Sequence, residues 1–260
     1  MQCSKMVLGM NKVAVITGSS GGIGRALVRT YLDDGYFVVG LDRTFCEYPA
    51  IESYVGIDVS LLQFSKDISY RDTVISKIKE HLPNNPKKFV VINNAAEQIL
   101  KPVHKIRWQD WEISLAVNTI APFFLTQGLI AELTAANGHV VNVSSIHSKL
   151  TKPLFTCYAV SKSAIEAVTR SLALELSPLG ISVNAVAPAA ISTEMLKAGF
   201  KDTPEKLLEL ENYHPSKSIG TPVQVSQFIK ALTDNEGGFL TGSVLDFNGG
   251  ISCKLSDPNS

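Results

Sequence analysis

The sequence predicts one α/β domain, a doubly wound parallel sheet with helices on both faces. Three observations carry that expectation. Short runs rich in Val and Ile recur along the chain, too brief for helices. Longer stretches of helical pattern separate them, which is what parallel strands need for their crossovers. The runs are apolar throughout and do not alternate, as expected of strands buried on both faces.

In chain order, residues 13–17 (VAVIT) form a first strand, and a glycine-rich turn leads into a helix over 23–34. Residues 36–41 read as a second strand. A third is expected near 62–67, then a helix over 70–81. FVVIN at 89–93 is a buried strand, and a long helical region follows over 108–136. HVVNVS at 139–144 is the next strand, followed by a helix over 158–176. ISVNAVA at 181–187, a helix over 223–233 and a strand over 243–247 complete the pattern. The polar, charge-rich segment 192–220 interrupts it. An amphipathic insertion at that place, after a strand's carboxyl end, reads as a mobile lid over a ligand. No repeat or linker divides the chain, so 1–260 reads as one dinucleotide-binding and catalytic unit.

Bulk properties exclude several classes. The 260 residues are 45% hydrophobic, enough for a sizeable core, and 24 basic side chains balance 24 acidic ones. Such a balance gives no support to a nucleic-acid partner. No apolar run approaches the roughly 20 residues that span a bilayer, and the first residues lack a secretory pattern. Cys3, Cys46, Cys157 and Cys253 are scattered, without metal-ligand spacing, so a cytoplasmic protein with reduced thiols and no metal is expected.

Tyr158 and Lys162, in YAVSK, are four residues apart and share one helix face. A phenol titrates near 10, and a neighbouring cation favours its phenolate, which suits acid–base work on an alcohol or ketone. At the other end, TGSSGGIG joins the first strand to the first helix. Gly18 suits the tight turn, Gly22 lets backbone approach a pyrophosphate, and Gly24 allows close helix packing. Asp42 closes the second strand about 20 residues on, where a carboxylate accepts from ribose hydroxyls and repels a 2′-phosphate. Arg43 next to it could pair with that phosphate, but Gly21 offers no second basic group. NAD is therefore favoured over NADP.

Together TGSSGGIG, Asp42, Lys66–Ile68 (KDI), Asn93–Ala96 (NNAA), Asn118 in LAVNT, NVSS ending at Ser145, and YAVSK resemble the short-chain dehydrogenase/reductase family from Thr17 to Gly250. The resemblance implies a Rossmann-like fold and NAD(P)-dependent oxidation or reduction between a secondary alcohol and a ketone. It implies a catalytic set of Asn118, Ser145, Tyr158 and Lys162. The cofactor would meet Gly18, Ser20, Gly22, Ile23, Gly24, Asp42 and Arg43. It would also meet Asp67 and Ile68 at the adenine, Asn94, Ala95 and Ala96 along the adenosine, and Pro188, Ile191 and Thr193 at the nicotinamide end. Ala96 and Ala189 stand where the family usually has glycine. If either backbone needs a left-handed conformation, alanine is strained there.

Glu97, Gln98, His147, Leu150, Leu154, Phe155, Ala190 and Met195 are the expected walls of a substrate pocket. The stretch from Ser144 to Lys162 is similar to short-chain glucose dehydrogenases, and Glu97 and His147 would be left unpaired by a bare hydrophobic alcohol. A sugar, sugar acid or polyol is the expected small-molecule substrate. A 3-oxoacyl-thioester reductase and a non-catalytic NAD-sensing protein are the alternatives; Asp42 and the neutral charge disfavour the first, and the intact catalytic set disfavours the second. Helices apolar over a wide arc need a second partner, so a homotetramer or homodimer is expected.

Overall fold

In the computed structural model, which describes residues 10–43, 52–235 and 237–255, seven strands form one sheet. They are β1 (Lys12–Thr17), β2 (Phe37–Asp42), β3 (Tyr54–Asp58), β4 (Lys88–Asn93), β5 (His139–Val143), β6 (Ser182–Pro188) and β7 (Val244–Phe247). All neighbours are parallel, in the order β3-β2-β1-β4-β5-β6-β7. The order reverses between β1 and β4, so a crevice opens beyond their carboxyl ends, where open α/β sheets bind ligands.

Strand side chains alternate between two faces, and each face has its own core. Val13, Val15, Phe37, Val39, Phe89, Val91, Val140 and Val183 point to one side. There they meet Phe64, Ile78, Leu125, Leu172 and Leu176 from the helices Leu61–Lys66, Ile68–His81, Ala121–Gly128 and Thr156–Leu176. Ala14, Ile16, Val38, Val90, Ile92, Val141 and Val186 point to the other. Leu27, Val28 and Tyr31 of the helix Gly22–Asp33, and Val225, Ile229 and Leu232 of Pro222–Asp234, cover them. The expected doubly wound sheet is thus present, with both faces dry.

Two expectations need correction. Residues 62–67 are not the third strand. The stretch lies in the helix Leu61–Lys66, capped by the Ser60 hydroxyl accepting from Gln63 N. Only Phe64 and Ser65 of it are buried, so its apolar residues serve one helical side. The real third strand, YVGID, is hard to recognise because it is an edge: Ile57 alone among its residues is buried. The helical region 108–136 is also broken. It runs as Trp108–Leu115, a π-helical turn over Ala116–Ile120, Ala121–Gly128 and Ile130–Ala135. Pro122 has no N–H to continue the ladder, and a side chain at Gly128 would strike Ile75, whose Cδ1 lies 2.6 Å from an ideal Cβ.

Segment 192–220 folds as two short helices, Glu194–Gly199 and Pro204–Tyr213. Its two ends are stitched together: Ser192 N donates to Gly220 O at 2.8 Å and Gly220 N to Ala190 O at 3.0 Å. Among the described residues, no helix is long and apolar enough to cross a membrane. No group of His, Cys, Asp or Glu among them is placed to hold a metal ion.

Candidate active site

The glycine turn is locked to the loop after β4. Thr17 Oγ1 accepts from the backbone N–H groups of Asn94 and Ala95, both at 3.0 Å. Asn94 Nδ2 donates to Thr17 O at 3.0 Å and Gly18 O at 3.2 Å. Gly18 has φ +66°, and a Cβ there would lie 2.8 Å from Ala95 Cα. A Cβ at Gly24 would lie 1.8 Å from Gly18 O, far inside van der Waals contact, so the helix approaches the turn only because residue 24 has no side chain. Gly22 is covered by Thr193, whose Cγ2 lies 2.8 Å from an ideal Cβ. The loop after β6 therefore closes on the turn.

The helix Gly22–Asp33 begins at Gly21, with no side-chain cap and no acidic residue in its first turn. Its leading N–H groups and positive end suit an anion with several oxygens, and a dinucleotide pyrophosphate is one. Beside it, the Asp42 carboxylate accepts from Ser20 N at 2.9 Å and from Arg43 N at 2.8 Å. Arg43 in turn pairs with Glu97 Oε1 at 2.5 Å. The Glu97 carboxylate, expected in the substrate wall, is thus directed to the residue following β2.

Asp67 and Ile68 need correction. Asp67 is the N-cap of the helix Ile68–His81, accepting from Tyr70 N at 3.0 Å, and Ile68 is 67% exposed. The carboxyl end of β3 carries Asp58 and Val59 instead, with Asp58 opposite Asp42 and Val59 N donating to Asp42 O at 2.9 Å. The IDVS tetrapeptide was the available signal, a strand end followed by a helix cap.

At the other end, Ser145 follows β5 and Tyr158 and Lys162 lie in the helix Thr156–Leu176. Lys162 is 2% exposed and its Nζ donates to Val143 O at 2.7 Å, 5.6 Å from the Tyr158 ring centroid. Burial lowers its pKa to about 8. Burial pushes the Tyr158 phenol up, opposed by a hydrogen bond with the Ser145 hydroxyl. The expected lowering of the phenol by Lys162 is not the dominant effect, because the ammonium is aimed at Val143 and desolvation outweighs it. His147 stacks on Phe155 (centroids 4.2 Å, planes 12° apart) and meets Tyr158 edge-on at 5.9 Å. Burial, then the nearby Lys152, lowers its pKa to about 4, so it is a neutral ring at physiological pH.

Asn118 sits in the π turn, with its amide fully engaged. Its Oδ1 accepts from Glu97 N at 2.7 Å, and its Nδ2 donates to Glu97 O at 2.9 Å and Ser161 Oγ at 2.9 Å. The side chain thereby joins the β4 loop to the Tyr158 helix. Sequence reasoning also missed Glu166, buried one turn beyond Lys162, whose Oε1 accepts from Ser144 Oγ at 2.9 Å.

Ala96 and Ala189 are not among the described residues with positive φ, so the alanines are accommodated without left-handed strain. Leu154 is among them (φ +79°) and is 44% exposed, like the exposed Leu150 and Gln98, while Phe155 is buried. Pro188 and Ile191 are buried, and Ala190 is half-buried. The Met195 side chain lies outside the described residues, as do Cys3 and Cys46.

Residues 12–204 match the short chain dehydrogenase family. The chain is 30% identical over 249 residues to Protein FixR of Bradyrhizobium diazoefficiens, covering 93% of this chain and 87% of that one. It is 29% identical over 245 residues to a (2S)-[(R)-hydroxy(phenyl)methyl]succinyl-CoA dehydrogenase subunit of Thauera aromatica (93% and 97% covered). Among solved structures, an aldohexose dehydrogenase of Thermoplasma acidophilum is similar, with TM-score 0.83 and 26% identity (95% and 97% covered). A 4-hydroxyisoleucine dehydrogenase complexed with NADH shares the fold at TM-score 0.83 and 23% identity, covering 94% of this chain and all of that one. With its sheet order, glycine turn and matched residues, this chain belongs to the short chain dehydrogenase family.

Proposed function

We propose that this protein interconverts a secondary alcohol and a ketone on a sugar, sugar acid or polyol, using NAD in preference to NADP. The observation that carries the reading is the half-buried Tyr158 phenol, desolvated and hydrogen-bonded to Ser145, on a helix that also buries the Lys162 ammonium. A bound nicotinamide dinucleotide would supply the hydride acceptor or donor. Its phosphates fit the N–H groups after Gly21, and its adenosine side fits Asp42, Asp58, Val59 and the Asn94–Ala96 loop. Thr193, packed on Gly22, would face the nicotinamide half.

In this reading Ser145 donates to the substrate oxygen and Tyr158 takes or returns its proton. Lys162, charged below about pH 8, stabilises the phenolate as it forms. Asn118, between the β4 loop and the Tyr158 helix, would hold a water that exchanges the proton with solvent. His147, neutral and stacked on Phe155, offers a ring nitrogen to a substrate hydroxyl; its Nδ1 lies 3.2 Å from Thr151 Oγ1. The likeness to an aldohexose dehydrogenase supports a polyhydroxylated substrate. Segment 192–220, hinged at the Ile191–Gly220 bridge, would be the lid.

Exposed Trp108 (74%) and Leu174 (80%), on neighbouring helices, support a homotetramer or homodimer. The thiols of Cys157 and Cys253 are free, which suits a cytoplasmic location. The test is a comparison of thermal stabilisation by NAD and NADP, followed by a polyol and sugar panel monitored at the nicotinamide absorbance. NAD should stabilise more, and a polyhydroxylated alcohol should reduce it. Failure of both dinucleotides to bind would sink the reading.

A further inference from the structure

We infer that Glu97 is a specificity-determining residue for the dinucleotide, acting by withholding Arg43 from a 2′-phosphate. The inference rests on the dinucleotide reading above and goes one residue beyond it. Arg43 follows β2 and Glu97 follows β4, while β1 runs between those strands. Strands two places apart are separated by about 10 Å. The Arg43–Glu97 pair therefore reaches across the carboxyl end of β1, over the turn that begins at Gly18.

The two partners are not equally free. Glu97 is pinned at both backbone groups by the Asn118 amide, at 2.7 and 2.9 Å, and its side chain is 29% exposed. The Arg43 side chain is 72% exposed. Glu97 is thus the fixed post and Arg43 the arm drawn to it. The Asp42 carboxylate, which accepts from the Arg43 backbone N–H, adds a second negative group at the same strand end. A phosphate monoester carries a charge of roughly −1.5 to −2 near neutrality. It must compete with Glu97 for the guanidinium while being repelled by both carboxylates. A ribose 2′-hydroxyl has no such conflict, because it can donate to Asp42. An exposed ion pair is weak enough to open, so Glu97 biases the choice and does not block it.

The experiment measures equilibrium binding of NAD and NADP by calorimetry for wild type, Glu97→Gln, Arg43→Gln and the double variant. Glu97→Gln should tighten NADP about 5- to 10-fold, in line with one freed charge-assisted phosphate contact, and move NAD by less than about 3-fold. The double variant should lose that gain, and high salt should narrow it. If Glu97→Gln fails to fold, Glu97→Ala should shift the ratio in the same direction. An NADP-to-NAD ratio unmoved in a variant that still binds NAD would overturn the inference alone, as would a gain that persists without Arg43. Wild-type protein binding neither dinucleotide would overturn the underlying reading as well.

Discussion

The Lys162 ammonium donates to the Val143 carbonyl at 2.7 Å, which ties the helix carrying Tyr158 to the carboxyl end of β5. The Ser144 hydroxyl, next in sequence, reaches the same helix at Lys162 O (3.2 Å) and Glu166 Oε1 (2.9 Å). The cation thus has a neutral partner in a dry place, which is why burial brings its pKa down to about 8. The same group that would serve chemistry carries a stability cost.

That cost has a sign. Lys162 titrates at about 8 when folded and near 10.5 when unfolded, so the unfolded chain holds the extra proton between those values. Stability from this group is present above pH 10.5 and is lost as pH falls through 8. Lys162→Met should therefore be more stable than wild type at pH 7, by on the order of 1–3 kcal/mol. The advantage should shrink as pH rises from 8 toward 10.5. Thermal melts across that range check it, and the variant should have lost its turnover.

Tyr158→Phe should lower turnover by about 10²- to 10⁴-fold, the usual contribution of a positioned acid–base group. Dinucleotide binding should persist, since the phenol is not part of the glycine turn. Single-turnover absorbance and calorimetry separate the two effects; retained turnover would remove Tyr158 from the chemistry.

His147 titrates at about 4 when folded and near 6.5 when unfolded. It contributes stability above pH 6.5 that is lost as pH falls through 4. His139 is lowered by burial too, with the same sign, so total acid sensitivity has two sources. Replacing His147 by Gln should flatten only its share, read as a smaller difference between melts at pH 7 and pH 4.5. An unchanged difference would mean that the ring is not held neutral.

Gly24→Ala forces a methyl against Gly18 O, where no flexible side chain can yield. A loss of about 1–3 kcal/mol is expected, as for other overpacked sites. Gly35→Ala is a useful contrast, because a Cβ there meets nothing within 4 Å and only its φ of +74° opposes it. Denaturant midpoints and NAD affinity check the pair: Gly24→Ala should lower both, Gly35→Ala stability alone.

Central strands were readable because burial on both faces leaves a run of β-branched residues, as in VAVIT and FVVIN. The glycine turn and the Tyr158–Lys162 pair were readable because both are local devices, set by spacing within one turn or one strand–helix junction. The third strand was not, since YVGID is an edge with a weak apolar signature and LLQF is a more apolar neighbour. With the strand misplaced, the expected adenine contacts fell on Asp67 and Ile68, which begin a helix. Asn118 was found by position, but its bonds to Glu97 and Ser161 span 21 and 43 residues and leave no periodic trace.

By itself, the order of residues determined the doubly wound sheet, the glycine turn after β1 and the Tyr158–Lys162 pair on one helix. Each follows from hydrophobic period, backbone freedom at glycine, or side-chain chemistry, all of which act over short stretches. Only the tertiary structure decided that Lys162 faces Val143, that Asp58 lies opposite Asp42, and that Arg43 is held by Glu97. Those relations depend on strand order and desolvation, which arise when distant segments close around one another.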